Sequence, residues 1–331
     1  MTRAHRIALI VHSLLLAGMP VLAQPYVITT VAGGAPPASG IQATQASIGD
    51  PPRVSVDASG NVYFGALHCV FRVNSSGVLI RIAGTARSGY TGDGGSALNA
   101  QLESPDGIAV DSAGNVYIAD QGTNSVRKVA ADGTISTYAG TGTAGFSGDG
   151  GPAIGAQLNQ PGGLAVDGPG NLYIADTANN RIRVVSPDGH IATVAGNGAA
   201  GYSGDASGAR DAALNGPEDI TVDSSGSLYI ADTQNYRIRV VTPNGIINTL
   251  AGVGNGNVFG DNAPAISAGL ILPTAVALDR SGNLYIADFG NSRIRVVAVT
   301  GMISTVAGNG DGAPLTGSQG ALSARLSGPT G

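Results

Sequence analysis

The 331 residues include no tryptophan, one lysine, two glutamates and one cysteine, and only 5% are aromatic. Each shortage excludes something. Grip on nucleic-acid phosphates needs a clustered basic surface, and a chain with Lys128 as its one lysine and a formal charge of −5 argues against nucleic acid as a partner. Cys69 is alone, so no internal disulfide forms, and without basic neighbours in the local sequence it reads as a small core residue, not a reactive thiol. The lack of tryptophan weakens any sugar-stacking platform, and the lack of polar low-complexity tracts argues against long disorder. Only one long apolar run exists, residues 7–17, interrupted by His12 and Ser13 and too short to span a bilayer comfortably. Arg3, His5 and Arg6 precede it, and Val21, Leu22 and Ala23 offer a cleavage site. Residues 1–23 are therefore expected to be a secretory signal, and residues 24–331 a secreted, periplasmic or extracellular chain with no membrane attachment after cleavage. Without Arg3 and Arg6 that chain holds 15 basic against 22 acidic residues.

What the chain has in quantity is glycine, 52 residues of it, spaced by a repeat. Pro51, Pro105, Pro161, Pro217, Pro273 and Pro329 are separated by 54, 56, 56, 56 and 56 residues, and a period that regular means a repeat architecture. The unit is cleanest at 161–196, where glycine turns cut four short runs rich in Val, Ile, Leu and Tyr. The first two runs are apolar on both faces, while the third alternates arginine with isoleucine or valine. Inner strands covered on both sides and less covered outer strands are what four-stranded blades around an axis require, so the expectation is an all-β propeller. Complete blades fall near 51–84, 105–140, 161–196, 217–252 and 273–308. Residues 26–33 match a fourth strand with no preceding three, and residues 329–331 begin another first strand. Together they suggest a sixth blade split between the termini and incomplete at its C-terminal part.

The unit resembles the NHL repeat, whose P-x-G-[IL]-A-V-D, G-N-[LV]-Y-I-A-D and N-R-I-R-V-V segments are met across 161–185. The connecting text at 148–158 looks like the long-loop variety of teneurin-type NHL domains and exported bacterial proteins. Such propellers include binding platforms, sensor domains and at least one lyase class, so the resemblance implies architecture before function. The related amidating lyase holds its metal with several histidines. Beyond the leader this chain has two, His68 and His190, on different repeats.

Within one chain the repeats provide an internal comparison. Asp111, Asp167, Asp223 and Asp279 close the first strand, Asp120, Asp176, Asp232 and Asp288 the second, and Arg127, Arg183, Arg239 and Arg295 follow seven residues later. These read as turn caps and intra-blade ion pairs, or else as a ring of charge around the channel. Tyr117, Tyr173, Tyr229 and Tyr285 read as core with a hydroxyl at a polar rim. In blade one, Ala66 replaces the aspartate and 68–71 replaces the N-R-I-R text, leaving the third-strand register open.

Loops of about 20 residues join the blades, far longer than a short connection needs. They carry Tyr90 with Asp93, Phe146 with Asp149, and Tyr202 with Asp205. These pairs are candidate anchors for a protein or peptide ligand, or staples that fix each loop to its blade. Glu218 and Asp219 do not repeat. They stand at the mouth of blade four, where other blades have Asp106 and Gly107 or Gly162 and Gly163, and paired carboxylates there could bind a cation, tune a pKa or remain solvated. No nucleophile with a paired base is legible. The expectation is a non-enzymatic binding scaffold without cofactor or metal, with a lyase or lactonase of the channel mouth as the alternative.

Overall fold

The computed structural model describes residues 37–256, 260–312 and 320–331. The expected signal at 1–23, the strand at 26–33 and the loop residues Val258 and Phe259 lie outside them.

Five antiparallel sheets form, one per repeat, and their inner strands pack side by side around an axis as a β-propeller. Blade three shows the rule. Pro161–Val166, Leu172–Asp176, Arg181–Val185 and Ile191–Ala195 pair in sequence order, Leu164 opposite Ile174 and Ile174 opposite Arg183. The turn after the first strand is built by Asp167, whose carboxylate accepts the Asn171 N–H and side-chain amide and, at 3.1 Å, the Tyr173 hydroxyl. A carboxylate that satisfies the turn's own donors fixes the hairpin without a partner strand. Asp111 and Asp223 do the same with Tyr117 and Tyr229. The first set of repeated aspartates is therefore a set of turn caps.

The second set clasps. Arg183 is fully buried, 3.3 Å from Asp176 and 2.6 Å from Asp149, which comes from the loop entering blade three. Arg239 joins Asp232 to Asp205, and Arg295 joins Asp288 to Asp261, in the same way. Burial pushes each inner carboxyl above its usual range, Asp232 to about 6, against the pull of its asparagine, its backbone donor and the arginine. In blade one the register is settled: Cys69–Val73 pairs with Val62–Ala66, and Phe71 stands opposite Phe64 where other blades have arginine. Apolar Phe71, Ala66 and Cys69 fill what the ion pair fills elsewhere, so one blade solves the same packing problem with a hydrophobic substitution.

The long loops are occupied by the fold. Each runs along the outer edge of the blade it is about to enter. Ile41–Gln42 pairs with Leu79 and Val78, Ser207–Gly208 with Ile247 and Ile246, and Ala263–Pro264 with Ile303 and Met302, while Ser96 and Pro152 bridge to Thr134 and His190. An edge strand left bare would invite association, and the loop removes that edge. The loop then drops Ala153, Ala156 and Leu158 between blades two and three, where they are almost fully buried beside Tyr117, Val126, Leu172 and Ile191. The length that looked superfluous in sequence thus seals an edge and fills a wedge.

The expected sixth blade is not formed among the described residues, which make five sheets. Residues 329–331 form no strand. They lie between blades five and one. Thr274 Oγ1 donates to the Pro329 carbonyl at 3.2 Å, and a Cβ placed on Gly331 would meet Arg53 Cα at 2.9 Å, as one on Gly107 would meet Gly163 Cα at 2.8 Å. Val54 of blade one is 50% exposed, whereas its counterparts Ile108, Leu164, Ile220 and Val276 are 7% or less.

Two substitutions test the clasp. Asp176→Ala leaves a buried guanidinium without its inner partner and should cost about 3–5 kcal/mol in urea unfolding. Replacing both Asp176 and Arg183 by apolar residues, as blade one does, should cost less than the single change. A double variant worse than either single one would contradict a packing role.

Candidate functional site at the channel mouth

The inter-blade loops, the starts of the first strands and the turns after the second strands share one end of the propeller, because Pro161 pairs with Asp176 and the equivalent prolines do likewise. At that end the opening triads of the repeats, 51–53, 105–107, 161–163, 217–219, 273–275 and 329–331, put residues 53, 107, 163, 219, 275 and 331 at the same repeat position. Four of these are glycine or alanine. The absence of bulk lets Arg53 and Asp219 reach inward, and a Cβ on Gly163 would overlap the Asp219 side chain.

Arg53 crosses the mouth. Its Nε donates to Asp106 Oδ1 at 3.1 Å and its Nη1 to the Thr274 carbonyl at 2.7 Å, with Glu218 Oε2 3.5 Å from Nη2 and Asp219 Oδ1 3.8 Å from Nη1. One guanidinium thereby ties blade one to blades two, four and five. Burial alone would lower its pKa, and Asp106, Asp219 and Glu218 more than reverse this, so it stays charged. Burial pushes the Asp219 carboxyl up to about 6, with Arg53 and the Val276 and Ile220 N–H groups pulling the other way. Burial raises Glu218 as well, and its neighbours Asp106 and Asp219 add to the shift that Arg53 opposes. Outside the bar formed by Arg53 lies a vestibule of about 570 Å³, reached by Asp50, Leu67, His68, Glu103, Gln121 and Thr177. With Asp106 and Glu218 it gathers four carboxylates around one guanidinium and one imidazole, an environment that favours cationic or hydrogen-bond-donating guests.

Glu218 and Asp219 were visible in the sequence as unrepeated carboxylates, but Arg53 was not singled out. The signal existed, since Arg53 and Asp219 occupy the same place in their repeats with opposite charge. Asp106 was noted only for contrast. Among the described residues no three His, Cys, Asp or Glu side chains stand together as a metal set. His68 lies at the mouth end, its Nδ1 2.5 Å from the Glu103 carbonyl, while His190 pairs with Asp188 at the opposite end of its blade.

The loop aromatics are held by their own blades. Phe146 has the Arg181 and Arg183 guanidinium carbons 3.7 and 4.8 Å from its ring centroid, Tyr202 has Arg237 and Arg239 at 3.6 and 4.9 Å, and Tyr90 has Arg127 at 4.8 Å. Cation–π contact at these distances fixes the loop. Asp93, Asp149 and Asp205 pair with the buried arginines beneath. All three aromatics nonetheless keep about 40% of their surface in solvent, so they are rigid and displayed at once.

Repeated four-stranded blades with carboxylate-capped hairpins and an arginine clasp define an NHL-type propeller. The chain belongs to the Teneurin NHL domain family, whose model matches residues 85–147, 142–202 and 197–259, with an NHL repeat at 270–297. It is 34% identical over 234 residues to Teneurin-1 of Mus musculus and 32% identical over 231 to Teneurin-m of Drosophila melanogaster, each match covering 63% of this chain and 8% of the relative. The chain thus spans a small part of the length of those relatives. Among solved structures, an auxiliary nutrient binding protein from Bacteroides ovatus aligns with TM-score 0.59 at 13% identity over 85% of this chain and 63% of that one. A streptogramin B lyase aligns at 0.50 and 17%, over 79% and 70%. Both show the fold.

The pH response of the mouth follows in sign from Asp219. A folded-state carboxyl near 6 against an unfolded value near 3.8 holds its proton more tightly when folded, so its contribution is greatest below the unfolded value and is lost as pH rises through 6. The urea midpoint should therefore climb as pH falls from 7.5 to 5, and Asp219→Asn should flatten that climb. An unchanged slope in the variant would contradict the burial of this carboxylate.

Proposed function

We propose that this chain is an exported, non-enzymatic binding propeller that receives a protein or peptide partner on its loop-bearing face, with the vestibule outside Arg53 as the anchor pocket. One observation carries the reading: the aspartates and arginines that recur from blade to blade are consumed by caps and clasps, while four charges that do not recur, Arg53, Asp106, Glu218 and Asp219, converge at one place on the axis. Residues that serve every blade serve folding, and residues present once are available for a task done once. Tyr90, Phe146 and Tyr202, with Asp93, Asp149 and Asp205, form the outer part of the same face. Aromatics already immobilised lose little entropy on contact, which favours their use as anchors. The N-terminal leader supports export. The spacing of the triads and the place of residues 329–331 support a ring of six positions, the sixth being a blade shared between the ends of the chain.

The experiment is a peptide-display selection against the folded protein. Selected peptides should bind Glu218→Gln several-fold more weakly and Asp188→Asn, at the far end of blade three, as tightly as the parent, with the fold of each variant checked by its melting curve. Equal binding to the two variants would sink the mouth as the anchor, and turnover of the selected peptide would favour the lyase-like alternative.

A further inference from the structure

Blades three, four and five each carry two arginines in the third strand, an inner one in the clasp and an outer one at the strand's first residue. The outer guanidinium donates to two equivalent carbonyls in all three. Arg181 donates to the carbonyls of Asn179 at 3.0 Å and Asn197 at 2.8 Å, and lies 3.7 Å from the Phe146 centroid. Arg237 donates to Asn235 and Val253, both at 3.0 Å, and lies 3.6 Å from the Tyr202 centroid. Arg293 donates to Asn291 and Asn309, both at 3.0 Å. Two carbonyls thus seat a planar cation in all three blades, an aromatic face completes the receptor in blades three and four, and the chain itself fills each copy.

Blade two builds the receptor without the arginine. Its third strand begins with Ser125, which pairs with Asp120 as Arg181 pairs with Asp176. The seat remains: Thr123 and Thr141 stand where Asn179 and Asn197 supply their carbonyls, and Tyr90 stands where Phe146 supplies its ring. The space is open. A Cβ on Gly198, Gly254 or Gly310 would fall inside contact distance of the outer guanidinium, whereas a Cβ on the equivalent Gly142 would meet nothing nearer than the Thr123 carbonyl at 3.7 Å and Tyr90 Cε1 at 3.9 Å. Tyr90 and Thr141 are exposed beside it. The charge setting matches the filled copies, because Arg127 beneath Tyr90 is paired with Asp93 as Arg183 is with Asp149.

We infer that blade two takes a guanidinium from outside, an arginine side chain of the partner, in the seat that Arg181, Arg237 and Arg293 fill in cis. Arginine and not lysine is specified, since two carbonyls and a ring face suit a flat fork of donors that stacks, and an ammonium cannot do both. This deepens the binding function proposed above and rests on the same face, but its site is peripheral and distinct from the channel mouth.

The test needs no partner. Isotope-labelled protein is titrated with N-acetyl-arginine amide, N-acetyl-lysine amide and the neutral isostere N-acetyl-citrulline amide, following the Gly142 amide and the Tyr90 ring by NMR. The arginine amide should shift both signals saturably at millimolar concentration, the lysine amide several-fold more weakly, and the citrulline amide not at all. Ser125→Arg should abolish the shift and raise the melting temperature by filling the seat, and Tyr90→Leu should weaken binding without that gain. No saturable shift in the wild-type protein, an equal shift with citrulline, or a shift that survives in Ser125→Arg would each overturn the assignment. Failure here leaves the channel-mouth selection untouched, and failure there leaves this titration to stand alone.

Discussion

The order of blades three to five depends on the buried arginine that joins the end of a second strand to the loop arriving from the previous blade. A guanidinium offers five donors in a rigid fork. In blades three to five two of its nitrogens grip carboxylates that are far apart in sequence, one seven residues before it and one 34 residues before it. That geometry turns a long connection into part of the next blade, covers its outer edge, and sets the following first strand at the axis. The cost is burial of charge, visible in the raised carboxyls of Asp176, Asp232 and Asp288. Blade one shows that the cost is not obligatory, because phenylalanine and alanine fill the same space. What the ion pair adds over a hydrophobic plug is direction, since it holds a loop as well as a core.

The fold was legible because its signals are local and repeated. A 56-residue period, glycine turns and fully apolar inner strands specify blades before any contact is known. The turn-capping aspartates were legible for the same reason, as each serves residues within six positions of itself. The loops were read less well. Their aromatics presented themselves equally as contact surface or as staples, and only the arrangement in space shows Arg181 and Arg237 lying across the rings. The edge-covering role of the loops was invisible, because strands of two residues leave no periodic trace.

The mouth was half legible. Glu218 and Asp219 stood out by failing to repeat, yet their meaning depends on Arg53, which lies 166 residues from Asp219 in sequence and beside it in space. A ring-shaped repeat brings equivalent positions together around the axis, so charge of opposite sign at one repeat position is the pattern to search for. The same comparison in reverse finds Ser125, where a residue is conspicuous for the arginine it lacks.

The structural role of the long loops has a direct measurement in their hydrogen exchange. The Gly150 and Ala153 amides donate to the Ile191 and Gly189 carbonyls on the outer edge of blade three, and the account predicts that they exchange as slowly as the amides of that blade's own outer strand. Exchange at the rate of an unstructured loop would contradict it, and would return the long loops to the role of free binding segments.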